Sequence, residues 1–62
     1  MSAPPQYELN CHYAHETEVE VYESLAAAQR EGRNRIRSVC PPIKVIVFEI
    51  TDRSIKAVWS SE

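Results

Sequence analysis

Apolar and polar residues alternate with a period of two at both ends of the chain, and a period near 3.6 occupies the middle. Tyr7, Leu9, Cys11 and Tyr13 alternate with Glu8, Asn10 and His12, which predicts a half-buried strand. Thr17, Val19 and Val21 alternate with Glu18, Glu20 and Tyr22 in a second strand. The intervening Ala14-His15-Glu16 reads as the loop. It holds neither Gly nor Asn, so it imposes no turn type and leaves the register open to a shift. The preferred register sets Cys11 opposite Val19, Leu9 opposite Val21 and His12 opposite Glu18.

Ser24 is a favourable N-cap, and the residues after it, Leu-Ala-Ala-Ala-Gln-Arg-Glu, are strong helix formers. Leu25, Ala28, Gly32, Ile36 and Val39 form one stripe at helical spacing, and Cys40-Pro41-Pro42 ends it. Gly32 is the sole glycine. In mid-helix it costs about 1 kcal/mol against alanine, so it either breaks the helix or lets it approach the sheet closely.

Two apolar-rich runs then follow, Ile43 to Ile50 and Ile55 to Ser60, around the polar Thr51-Asp52-Arg53-Ser54. Folding them about Asp52-Arg53 pairs Ile50 with Ile55, Phe48 with Ala57 and Ile46 with Trp59 on one face. Glu49 meets Lys56, and Val47 meets Val58, on the other. The third strand is apolar on both faces, which suits a central position.

The predicted fold is α+β: ββαββ, with one helix on one face of a four-stranded antiparallel sheet. The preferred strand order is 2-1-3-4, and 1-2-3-4 is the alternative. Residues 1–6, with Pro4-Pro5, read as a flexible tail, and residues 7–62 as a single small domain. The helix is expected over Ile46, Phe48, Ile50, Ile55 and Trp59, which leaves Val45, Val47 and Val58 as a bare patch available to a partner.

At 62 residues the core is small, so an oligomer interface would add stability. The net charge of -2 is unevenly placed. All seven Lys and Arg lie from Arg30 onward, while Glu8 to Glu23 holds only acidic charges. Glu18 and Glu20 mark the second strand as a charged edge, which discourages aggregation and could engage a basic groove. Arg30, Arg33 and Arg37 fall on one outer helix face, a candidate grip for phosphate.

Cys11, His12, His15 and Cys40 lack paired metal-ligand spacing, and alternation sends Cys11 and His12 to opposite faces. A Cys11–Cys40 disulfide is the less favoured state of these thiols. No phosphate loop, dinucleotide fingerprint or nucleophile elbow is present. The expectation is a non-enzymatic protein-binding module without cofactor or metal: a small regulator or inhibitor, of a size that compact phage or plasmid genomes encode. Its expected partner is a protein or a second copy of itself. A nucleic-acid-binding protein using Arg30, Arg33 and Arg37 is the alternative. With no signal-peptide pattern and no apolar run long enough to span a bilayer, the expected location is the cytoplasm, with no membrane partner.

Overall fold

The computed structural model describes residues 3–61. Met1 and Ser2 of the expected tail, and Glu62 at the domain's end, lie outside them. The elements run β1 (Gln6–His12), β2 (Thr17–Tyr22), α1 (Leu25–Ile36), β3 (Lys44–Ile50) and β4 (Ile55–Ser60). The strands form one antiparallel sheet in the order β2-β1-β3-β4, and α1 packs on one face of it. This is the predicted ββαββ fold in the preferred strand order.

The helix begins as its sequence dictates. Ser24 is extended, and its hydroxyl accepts the Ala27 N–H at 3.2 Å. It ends a turn earlier than expected. Arg37 caps it, and the Ser38 hydroxyl donates to the Arg35 carbonyl at 2.7 Å. Val39 therefore falls off the stripe into the following loop, where it is fully exposed. Ser38 competes for the last carbonyls through its side chain, a habit that suits helix ends better than interiors. Gly32 does not break the helix. It is buried within it, facing Trp59, Val45 and Leu9.

The core consists of Leu9, Cys11, Ala28, Val45 and Val47, with Tyr7, Tyr13, Tyr22, Leu25, Val58 and Trp59 packed around it. The expected facing of β3 is thereby reversed. Val45 and Val47 are fully buried beneath α1, and Val58 is half-buried against the same core. These three valines form no bare patch. The face left open carries Ile46, Phe48 and Ile50 instead, with Ile55 and Ala57 beside them.

Interlocking causes explain the reversal. Leu9 pairs with Val47 and Cys11 with Val45, so the apolar side of β1 selects the valine side of β3. The helix presents Ala28 and Gly32 there, and a close approach admits valines more readily than phenylalanine. Trp59 reaches the same side through a register shift between Val47 and Phe48. Phe48 pairs with Ala57, yet Val47 pairs with Trp59, leaving Val58 as the extra residue. Only Trp59, among the five residues expected beneath the helix, packs there.

The first hairpin also differs by one residue. Tyr13 N–H bonds the Glu16 carbonyl at 2.8 Å, and His12 pairs with Thr17 rather than Glu18. Cys11 then pairs with Glu18, Leu9 with Glu20 and Asn10 with Val19. A one-residue slip exchanges the faces of a strand. Glu18, Glu20 and Tyr22 accordingly lie on the helix side, and Val19 and Val21 on the open side.

Candidate functional site

The open face is built from rows across four strands. One row holds Val21, Glu8, Phe48 and Ala57, and the next holds Val19, Asn10, Ile46 and Ser60. Ile50 and Ile55 pair beyond them. Val19 is 52% exposed, Val21 55% and Ile55 69%, while Ile46, Phe48 and Ile50 are half-buried by their neighbours. No element among the described residues covers this floor. Glu8 and Asn10 of β1 divide it, standing between the valines of β2 and the apolar residues of β3, with the Glu8 carboxylate held by the Asn10 side-chain amide at 3.1 Å.

On the helix side, Arg35 is the electrostatic centre. Its guanidinium pairs with Glu31 at 2.8 Å within the helix and with Glu18 at 3.2 Å across to β2, and it also bonds Glu20. The hydrogen bonds to Glu31 and Tyr13, with the charges of Glu20 and Glu18, hold the guanidinium well above its ordinary pKa. The Tyr22 hydroxyl donates to Glu20 at 2.8 Å; burial, then that bond, push its pKa up to about 12. The Glu31–Arg35 pair follows from their i, i+4 spacing on the helix. Its extension to β2 escaped sequence reasoning, because only the shifted hairpin register turns Glu18 and Glu20 toward the helix.

Replacing Arg35 with methionine keeps the aliphatic stem and leaves three carboxylates in mutual repulsion. Each exposed pair is worth only about 0.2–1 kcal/mol, but the three act together. The expected loss is about 1–2 kcal/mol. It should appear as a lower urea midpoint with an unchanged slope, and part of it should return in about 0.5 M salt.

Arg30, Arg33 and Arg37 project from the other side of the helix, where with Ala26, Gln29 and Asn34 they line a shallow depression. None of the three has an acidic partner among the described residues. The structure thus divides the arginines of α1 and its cap into one that is paired and three without an acidic partner among the described residues.

The sulfur and imidazole groups do not converge. Cys11 is buried on the helix side, where loss of solvation raises its thiol pKa. His12 lies on the other face, with its Nδ1 3.3 Å from the Thr17 hydroxyl. Cys40 is exposed, and both thiols are free. Among the described residues no three or more His, Cys, Asp or Glu gather as a metal site, and no helix is long and apolar enough to cross a membrane.

No protein-family model matches the chain, and neither a curated protein nor a solved structure resembles it significantly.

Proposed function

We propose that the chain is a non-enzymatic protein-binding module, a small cytoplasmic regulator or inhibitor that meets its partner through the open face of its sheet. The observation that carries this function is the uncovered apolar patch of Ile46, Phe48, Ile50 and Ile55 on β3 and β4, with Val19 and Val21 exposed on β2 beyond the polar row of β1. Contiguous apolar surface of this kind on a small domain marks contact sites. The partner's matching surface is apolar, with a donor placed to meet Glu8. In an isologous pair the two Glu8 carboxylates would both enter one interface, which favours a different protein over a second copy.

A photocrosslinker at Ile55 tests this in extract of the native host. The expected result is a specific adduct that Phe48→Asp abolishes while the fold persists, and that Arg30→Glu with Arg33→Glu leaves intact. Capture indifferent to Phe48→Asp overturns the assignment. Sedimentation identifies a homodimer, if that is the adduct, from a mass twice 7.1 kDa.

A second function rests on the unpaired Arg30, Arg33 and Arg37. Three guanidinia on one helix face suit phosphate oxygens. Affinity for generic DNA or RNA that falls steeply with salt, and is lost in Arg33→Glu, would favour this function; no binding at low salt removes it.

A further inference from the structure

We infer that β2 is a docking edge for an extended segment of a partner, one in which basic and apolar residues alternate. The inference rests on the protein-binding function above and names a kind of partner. The sheet has two outer strands, and they differ. β4 is bulged at Val58, so its ladder shifts midway and its outer edge offers no long regular run. β2 pairs with β1 in one unbroken register from Thr17 to Tyr22, and no strand among the described residues pairs with its other edge. Such an edge can accept an added strand through main-chain hydrogen bonds, with side chains setting specificity.

The side chains of β2 specify opposite chemistry on its two sides. Toward the open face stand Val19 and Val21, each more than half exposed, with Glu8 and Asn10 of β1 between them and the apolar residues of β3. Toward the helix stand Glu18 and Glu20, whose side chains are 45% and 44% exposed. These two share a single guanidinium with Glu31. Three carboxylates against one cation leave that side negative. An added strand therefore meets carboxylates at alternate positions and valines between them. Lysine or arginine alternating with valine or isoleucine matches both sides at once.

The same charges argue against a second copy. Two β2 strands paired with each other would set Glu18 and Glu20 beside their own counterparts, and like charges across strands are destabilising. Arg35 cannot relieve this, since each copy brings three carboxylates with its one arginine.

The test is a titration of the full chain with acetyl-Lys-Val-Lys-Val-Lys-Val-amide, followed by amide chemical shifts and hydrogen exchange. The expected result is saturable binding, with new protection confined to the backbone of residues 17–22. Affinity should be about tenfold or more weaker for the Glu-Val counterpart. N-methylation of alternate peptide residues should abolish binding in one phase and spare it in the other, because an added strand directs only every second amide at its neighbour. The double variant Glu18→Lys, Glu20→Lys, checked for folding by circular dichroism, should exchange preference to the Glu-Val peptide.

Absence of binding at low salt overturns the inference. So does binding that survives both N-methylation phases, or shifts that map away from β2. If Phe48→Asp still abolishes the Ile55 adduct in that case, the open face remains the contact site and only the strand-addition inference fails.

Discussion

Val47→Asp should unfold the protein, whereas Ile55→Asp should leave it folded. Both positions carry an apolar residue on a strand of the same sheet, and they differ in which side they occupy. Val47 is wholly buried, pairing with Leu9 on one flank and Trp59 on the other. A carboxylate buried there loses its hydration, which costs several kcal/mol even after relaxation. The lost burial of a valine side chain adds about 1.5–3 kcal/mol. A chain of 62 residues holds about 3–9 kcal/mol of total stability at the usual per-residue figure. The substitution therefore consumes most or all of it.

The expected readout is loss of the cooperative thermal transition and of near-ultraviolet dichroism from Trp59. Val47→Ala, which only trims methyls, should stay folded at a cost of about 2 kcal/mol. Ile55 is 69% exposed on the outer strand, and its replacement by Asp should shift stability by less than about 1 kcal/mol. A folded Val47→Asp protein with native Trp59 signals would mean that α1 does not cover this side of the sheet.

The contrast between Val47 and Ile55 also shows what patterning alone can resolve. Strand order and most element bounds follow from alternation, the Ser24 cap and the turn chemistry around Asp52-Arg53. The pairs Phe48–Ala57, Glu49–Lys56 and Ile50–Ile55 were legible because apolar and charge complementarity agree there; Lys56 and Glu49 stand 3.7 Å apart. Beyond Ala57 the pattern is silent about an extra residue, since Val58 and Trp59 are both apolar and a bulge leaves no mark on such a run.

The facing of β3 was not legible for a similar reason. Its two sides, Val45-Val47 and Ile46-Phe48-Ile50, are both apolar, and bulk favoured the wrong one. The decisive signal lay in the helix. Ala28 and Gly32 imply close approach, and close approach requires small residues below. In the first hairpin, a loop without glycine allowed either register. The structure takes the one in which Arg35 meets Glu18 and Glu20 and the valines of β2 turn to the open face. The candidate site shifted with these two choices: the expected valine patch turned beneath the helix, and all of the expected core but Trp59 became the open face.

Gly32→Leu should strongly destabilise the protein, although leucine has the far better helix propensity. A methyl carbon built on Gly32 would stand 3.1 Å from Trp59 Cζ3, 3.2 Å from Val45 Cγ1 and 3.3 Å from Leu9 Cδ1. All three are side-chain atoms, so a single methyl can be admitted if each gives by a few tenths of an ångström. Gly32→Ala therefore sets about 1 kcal/mol of helix propensity gained against local crowding of similar size, and its net effect should be small. Leucine adds three further carbons directed at the same residues. The helix must lift from β1 and β3, or Trp59 must leave the core. Overpacking of this kind costs about 1–3 kcal/mol in larger cores, and more where there is little surrounding structure to absorb it. The midpoint of urea unfolding should fall steeply for Gly32→Leu and hardly move for Gly32→Ala, while Trp59 fluorescence shifts toward that of a solvated indole in the leucine variant alone. Restored stability in the double variant Gly32→Leu, Trp59→Ala would place the clash at their contact, since removing the ring frees the volume that the leucine needs.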